Sequence, residues 1–158
     1  MRIRSVLFVC TGNICRSPTA DGVLRSMARA AGIEAELRIE SAGTHDYHAG
    51  HPPDPRAQHH AARRGYDLSM LRARQIEARD FETFDLILAM DRGHLRLLRA
   101  QCPAHLHGKL RLFMEFAQGS RTKDVPDPYH GAADSFEAVL DLVEDGNRGL
   151  LRELQAPP

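Results

Sequence analysis

The stretch SVLFVCTGNICRSP, at residues 5–18, carries the clearest structural signal in the chain. Its first six residues form a mostly apolar run with valine and phenylalanine, which is typical of a buried strand. A short loop with one glycine follows, and Pro18 suits the first turn of a helix. Apolar residues then recur at spacings of three and four up to Ala31, and Gly32 suits the end of that helix. The stretch therefore predicts a strand, a tight loop and a helix in direct succession.

Outside this stretch, candidate strands alternate with candidate helices. Three further strands are predicted at ELRIE (36–40), FDLILAMD (84–91) and KLRLFMEF (109–116). Further helices are predicted from Pro55 to Gly65 and from Gly93 to Cys102. An apolar stripe over residues 136–154 predicts a closing helix, which we expect to be loosened near Gly146.

This alternation predicts an α/β fold, a doubly wound sheet of about four parallel strands with helices on both faces. In such sheets ligands bind at the carboxyl ends of the strands. The loop that follows the first strand, starting at Cys10, is therefore the expected ligand site. No linker or internal repeat divides the sequence, so residues 1–158 are expected to form a single domain.

The composition argues against several classes of protein. Basic and acidic side chains number 21 each, so a general nucleic-acid-binding role is not expected. Three cysteines without a secretory signal indicate free thiols and a cytoplasmic location. The apolar run at residues 5–10 is too short to span a membrane. The nine histidines are scattered without partners at metal-ligand spacing, so no metal and no other cofactor is expected.

The loop from Cys10 to Ser17 has the composition of an oxyanion site. Backbone N–H groups in a tight loop can converge on one tetrahedral anion, and the start of the following helix adds a positive dipole. Arg16 adds a planar guanidinium that can bind two phosphate oxygens. The same charges favour the thiolate of Cys10, which is the nucleophilic form. The residues expected to bind the phosphate with Arg16 are Thr11, Gly12, Asn13, Ile14, Cys15 and Ser17.

Two loop residues are expected to have supporting roles. Ser17 can donate a hydrogen bond to the Cys10 sulfur and help it to leave when a phosphocysteine is hydrolysed. Asn13 tolerates a left-handed backbone and can brace the loop through its side chain.

A proton donor and pocket walls are expected outside the loop. Transfer of a phosphoryl group to a thiolate needs an acid for the leaving group, and Asp124, Asp127 and Asp134 in one polar loop are all candidates. Tyr47 and Tyr129, also in polar loops, are candidate aromatic walls of a pocket above the loop.

The segment CTGNICRSP at residues 10–18 resembles the phosphate loop of the low-molecular-weight protein tyrosine phosphatase family. The resemblance covers nearly the whole chain. Further similar segments follow in the same order, namely SAGT (41–44), PPDPRA (52–57), RARQI (72–76), AMD (89–91) and DVPDPYH (124–130).

The resemblance implies a protein tyrosine phosphatase that works through a phosphocysteine, with Cys10 as nucleophile, Arg16 as phosphate clamp and Asp127 as general acid. It implies that Ser41 hydrogen-bonds Asn13, and it places Tyr47 and Tyr129 at the pocket rim. It further implies that Cys15 can form a reversible disulfide with Cys10.

The expected partner is a tyrosine-phosphorylated protein, with a tyrosine kinase as one candidate, and inorganic phosphate or vanadate is expected to bind the loop. A monomer or weak dimer without membrane or nucleic-acid partners is expected. One alternative is an arsenate reductase on the same scaffold, which is disfavoured because Cys102 has no nearby cysteine to complete a relay. Another is a non-catalytic phosphotyrosine-binding module, which the presence of Cys10, Arg16 and Asp127 disfavours.

Overall fold

A single sheet of four parallel strands organises the molecule, whose computed structural model describes residues 2–157. The strands are β1 (Ser5–Cys10), β2 (Arg38–Gly43), β3 (Leu86–Ala89) and β4 (Leu110–Leu112). Their order across the sheet is β2-β1-β3-β4. The predicted α/β fold, with about four parallel strands and a loop after the first, is confirmed.

Five helices cover the two faces of the sheet. They are α1 (Arg16–Ala30), α2 (Pro55–Arg63), α3 (Ala78–Thr83), α4 (Arg92–Gln101) and α5 (Ala133–Gln155). Short 3₁₀ turns lie at Glu34–Glu36, Ala104–Lys109 and Phe113–Phe116. Within residues 2–157, no helix combines the length and the apolar character that a membrane crossing needs.

β1 is buried along its whole length because its neighbouring side chains point into two different cores. Val6 and Phe8 belong to the core that α1 and α5 cover, and Leu7 and Val9 belong to the core that α3 and α4 cover. This explains why the strand reads as an unbroken apolar run rather than as an alternating one.

The position of β1 in the sheet creates the crevice that holds the site. The chain passes from β1 to β2 on one side and later to β3 on the other, so the loops after β1 and β3 diverge. Cys10 pairs in register with Gly43, and Val9 pairs with Ala89. The carboxyl ends of three strands are therefore level at this topological switch point, where α/β proteins bind their ligands.

Two details of the predicted elements are wrong. The fourth strand covers only Leu110–Leu112, because the chain then turns into the 3₁₀ helix Phe113–Phe116. The closing helix α5 continues without a break through Gly146. A Cβ at Gly146 would meet the ring of Phe113, and one at Gly149 would meet the carbonyl oxygen of Phe116. The glycines allow close packing of α5 on that turn and do not loosen the helix. The six-residue helix α3 was not predicted.

Candidate active site

The loop between β1 and α1 forms the floor of a cavity of about 350 Å³. The lining residues are Cys10, Thr11, Gly12, Ile14, Cys15, Arg16, Tyr47, His48, Asp127, Tyr129 and His130. The structure thus brings together most of the site residues that the sequence predicts. Asn13 and Ser17 of the loop, together with Ser41, are buried and do not line the cavity.

Cys10 lies at the end of β1, 3 % exposed, and its sulfur is 2.9 Å from Ser17 Oγ. Asn13 Nδ2 donates a hydrogen bond of 2.8 Å to the same Ser17 oxygen. Because that oxygen already accepts from Asn13, its own proton is free to point at the sulfur. The Ala42 carbonyl, at 3.4 Å, is the more distant alternative acceptor.

Asn13 has a left-handed backbone, with φ of 58°. Besides its bond to Ser17, its Nδ2 donates to Ser41 Oγ at 2.9 Å, and its Oδ1 accepts from the Arg74 backbone N–H at 3.0 Å. The side-chain amide is therefore fully used, and it ties the loop to β2 and to the segment before α3.

Arg16 is 4 % exposed, and its guanidinium is fixed from several directions. Its Nη1 donates to Asp91 Oδ2 at 2.9 Å and to the Val125 carbonyl at 3.0 Å. Asp91 also caps α4, since its Oδ1 accepts from the His94 backbone N–H at 2.8 Å. Sequence reasoning assigned no role to Asp91, although its place just after β3, at the carboxyl edge of the sheet, was a usable signal.

His94 is a second contact that sequence reasoning missed. It is buried, and its Nε2 lies 2.8 Å from Thr11 Oγ1 and 3.5 Å from Arg16 Nη2. Burial, and then the charge of Arg16, lower the pKa of His94 to about 4. The ring is therefore neutral at neutral pH, and Nε2 can accept from the Thr11 hydroxyl. Nδ1 lies 3.1 Å from Asp91 Oδ1, but without hydrogen-bond alignment.

Of the three candidate acids, Asp127 lines the cavity above the loop. Its side chain is 54 % exposed, with Oδ2 3.8 Å from Arg16 Nη2. Asp124 is bound instead to Arg92 at 2.9 Å, and hydrogen bonds from Arg92 lower the pKa of its carboxyl. Asp134 lies in the first turn of α5.

Tyr47 and Tyr129 lie at the mouth of the cavity and are 66 % and 39 % exposed. Tyr47 stacks on His45 with ring centroids 4.8 Å apart, and the Arg56 guanidinium lies 5.4 Å from the centre of the Tyr129 ring. His48, which sequence reasoning also missed, lines the cavity and lies close to Gly12, where an added Cβ would come within 2.9 Å of its ring.

Cys10, Cys15 and Cys102 are free thiols. Cys15, in the loop, packs with Ile14, Ala57 and Phe136. Burial, followed by the charge of Asp54, raises the pKa of the Cys15 thiol to about 12, so it is neutral. Among residues 2–157, no group of three or more metal-ligating side chains is arranged to hold an ion.

A loop that can surround a tetrahedral anion and present a thiol to it, on this fold, defines a phosphatase of the cysteine-dependent class. The sequence pattern of the family described as low molecular weight phosphotyrosine protein phosphatase matches residues 5–157. The chain belongs to this family and is a protein tyrosine phosphatase.

Individual relatives are similar over most of their length. The chain is 44% identical, over 149 residues, to the low molecular weight protein-tyrosine-phosphatase of Streptomyces coelicolor, covering 92% of this chain and 90% of the relative. It is 41% identical, over 142 residues, to the human low molecular weight phosphotyrosine protein phosphatase, covering 86% of each. A crystal structure of the protein tyrosine phosphatase from Entamoeba histolytica, with Hepes in its active site, superposes with a TM-score of 0.93 at 35% identity, covering 96% of this chain and 97% of the other.

Proposed function

We propose that this chain hydrolyses phosphotyrosine in proteins through a phosphocysteine intermediate at Cys10. The observation that supports the proposal most directly is that Cys10, Arg16 and Asp127 line one cavity. Transfer of a phosphoryl group from an aryl oxygen to sulfur requires a thiolate, a fixed cation and a proton donor. In this proposal, residues 1–158 form a single phosphatase domain.

The first step transfers the phosphoryl group to the enzyme. The thiolate of Cys10 attacks phosphorus, and the S–P bond forms as the bond from phosphorus to the tyrosine oxygen breaks. Asp127, protonated at this stage, gives its proton to the leaving oxygen, so the tyrosine departs as a neutral phenol. Arg16 binds the phosphate oxygens together with the loop residues Thr11, Gly12, Asn13, Ile14, Cys15 and Ser17.

The second step releases phosphate. The Asp127 carboxylate accepts a proton from a water molecule, which attacks phosphorus as the S–P bond breaks. Negative charge then returns to the sulfur, and Ser17 Oγ, at 2.9 Å, is placed to donate a hydrogen bond to it. Asn13 and Ser41 hold Ser17 and the loop in this position.

Selection of phosphotyrosine comes from the depth and the walls of the cavity. Tyr47 and Tyr129 at the rim can flank an aromatic ring whose phosphate reaches the buried sulfur. Wzb from Vibrio vulnificus, similar to this chain with a TM-score of 0.84 at 30% identity, has a solved structure in complex with benzylphosphonate. An aryl group joined to a tetrahedral anion is the substrate shape that this cavity suits.

The proposed cellular setting follows from the substrate and the thiols. The partner is a tyrosine-phosphorylated protein, with a tyrosine kinase as a candidate. Free cysteines suit the cytoplasm, and Cys15, in the same loop, is the proposed disulfide partner of an oxidised Cys10. The chain acts as a monomer or weak dimer.

Replacement of the nucleophile tests the covalent route. Cys10→Ser should reduce turnover of para-nitrophenyl phosphate by about 10⁴-fold or more, since a neutral hydroxyl replaces the thiolate. It should still bind phosphate or vanadate, measured by calorimetry, because the loop amides and Arg16 remain. Mass spectrometry of acid-quenched wild type during turnover should show one added phosphoryl group on the peptide that contains Cys10.

The matched control is Cys102→Ser, which removes a thiol at the end of α4 and should keep wild-type turnover. Turnover by Cys10→Ser that approaches the wild-type rate would exclude the phosphocysteine.

A further inference from the structure

A second cavity, of about 530 Å³, lies beside α4 and is strongly basic. We call it the basic groove. One wall is the face of α4 that carries Arg92, Arg96 and Arg99, which follow one another at spacings of four and three and so share one side of the helix. The opposite wall is the loop segment that carries Arg121 and Lys123.

Contacts between Asp124 and Arg92 hold the loop wall against the helix. Asp124 accepts from the Arg92 backbone N–H at 2.8 Å and from its guanidinium at 2.9 Å. Thr122 Oγ1 donates to the carbonyl of Asp124 at 3.2 Å. The groove is therefore a built recess between two anchored segments, with Leu112 and Met114 among its apolar lining residues.

Most of the positive charge in the basic groove is uncompensated. Arg92 is paired with Asp124, and Glu115, the acid that lines the groove, is paired with Arg111. In the described part of the chain, the remaining four cations form no ion pair with a carboxylate; these are Arg96, Arg99, Arg121 and Lys123. Since the whole chain has a formal net charge of zero, this is a local concentration of positive charge that attracts anions.

The basic groove and the catalytic cavity are neighbours, with a third, open recess between them. This recess shares Arg16 and Asp127 with the catalytic cavity, and it shares Arg92 and Arg96 with the groove. Asp91 and Asp124 also line the recess, but each is already bonded to an arginine, Arg16 and Arg92 respectively. A substrate chain that leaves the catalytic cavity past Asp127 would therefore reach the uncompensated cations of the groove next.

We propose that the basic groove binds an acidic segment of the same phosphoprotein whose phosphotyrosine enters the catalytic cavity. The seven-residue interval from Arg92 to Arg99 spans about 10 Å of helix, which about three residues of extended peptide would cover. A recess between a helix and a loop, next to the catalytic cavity, can hold an extended peptide, whereas a membrane surface is flat. This inference rests on the proposed function, because it concerns the substrate of the same site.

Paired peptides test the inference. In each pair, one phosphotyrosine peptide carries four Glu at positions three to six residues from the phosphotyrosine, and the other carries four Gln at the same positions. One pair has these residues before the phosphotyrosine, and a second pair has them after it. The wild type should hydrolyse a Glu peptide with a kcat/KM about tenfold above that of its Gln counterpart at low salt, and added salt should reduce the preference. R96Q/R121Q should abolish the preference.

The matched control is R63Q/R152Q, which removes two exposed arginines that lie outside the groove and should keep the preference. R96Q/R121Q and R63Q/R152Q should hydrolyse para-nitrophenyl phosphate at the wild-type rate, because this substrate reaches only the catalytic cavity. A wild-type protein that does not hydrolyse para-nitrophenyl phosphate would refute the proposed function itself.

Equal rates on the Glu and Gln peptides, or a preference that survives in R96Q/R121Q, would overturn the inference while leaving the phosphatase intact. The inference would also be overturned if the wild type bound phosphatidylserine vesicles, R96Q/R121Q did not, and neither protein preferred the Glu peptides. That result would assign the groove to a membrane surface.

Discussion

Arg16 is held by groups from distant parts of the chain, and this explains how one buried cation can be rigid. Asp91 follows β3, His94 belongs to α4, and the Val125 carbonyl lies in a loop near the end of the chain. Asp91 and the Val125 carbonyl accept from Nη1, and His94 lies beside Nη2. A cation fixed in advance in this way stabilises phosphate charge without reorganising during the reaction.

The neutral state of His94 has a consequence for stability. Its pKa falls from 6.5 to about 4 on folding, so between these two pH values His94 binds a proton in the unfolded chain but not in the folded protein. The stabilisation present above pH 6.5 is therefore lost as the pH falls to 4, with a total of about 3 kcal/mol. In His94→Asn, urea unfolding between pH 4 and 6.5 should show a correspondingly flatter dependence on pH.

Asp21 also contributes to the pH dependence of stability, so the slope for each variant must be compared with the slope for the wild type. Burial raises the pKa of Asp21 to about 6, which makes stability fall with rising pH and opposes the effect of His94. His59→Asn, at an exposed position, controls for loss of an imidazole. A slope in His94→Asn equal to that of the wild type would show that His94 is protonated in the folded protein.

The proposed acid can be tested through the leaving group. Asp127→Asn should slow hydrolysis of phenyl phosphate by about 10²–10⁴-fold, because phenolate needs a proton to leave. It should slow para-nitrophenyl phosphate much less, because nitrophenolate is a weaker base. Steady-state kcat on both substrates is the measurement, with Asp134→Asn as the control outside the cavity. Equal losses on the two substrates would remove Asp127 from this role.

The sequence indicated which residues form the loop, but it did not indicate the residues that anchor it. Residues 10–17 are contiguous, so composition and position between a strand and a helix were enough to indicate an anion site. Asp91 and His94 are about 80 residues away and reach Arg16 only because β3 lies next to β1. The place of Asp91 after a predicted strand indicates the correct edge of the sheet, but no local pattern shows that this strand lies next to β1, so the contacts of Asp91 and His94 with Arg16 could not be predicted.

At the scale of elements, the packing of α5 on the Phe113–Phe116 turn depends on two glycines. Helix propensity alone favours Gly149→Ala by about 1 kcal/mol. However, the new Cβ would clash with the Phe116 carbonyl group, whose carbon would lie 2.8 Å from it. This group is backbone, so it cannot move away as a flexible side chain would. We expect a net loss of about 3 kcal/mol in the free energy of unfolding, measured by urea denaturation.

Gly108→Ala is the matched control, because a Cβ at that position meets nothing within 4 Å. A Gly149→Ala protein as stable as the wild type would mean that α5 can move away from the turn at little cost. The same packing explains why the sequence prediction failed at Gly146. Glycine in a helix usually indicates weakness, and only the position of Phe113 shows that here it makes room for a neighbour.

At the scale of the whole molecule, binding at the loop should stabilise the entire fold. The loop is bonded to β2 through Ser41 and to Asp91, just after β3, so its conformation depends on the sheet. Vanadate at about 100 times its Kd should add about 2.7 kcal/mol, which corresponds to a rise of about 5–10 °C in Tm. Thermal unfolding followed by circular dichroism is the measurement.

Arg16→Ala should reduce this shift strongly, because it removes the charge that binds the anion while the loop amides remain. An equal rise in Tm for Arg16→Ala and the wild type would place vanadate elsewhere on the protein.

The bond from Arg16 to the Val125 carbonyl links the first helix to a segment made more than one hundred residues later. During synthesis, the nucleophile and the guanidinium emerge from the ribosome early, but their geometry waits for residues 125–127. A nascent chain therefore carries an inactive catalytic loop, and we expect phosphatase activity to begin only after residues 125–127 have emerged and packed against Arg16.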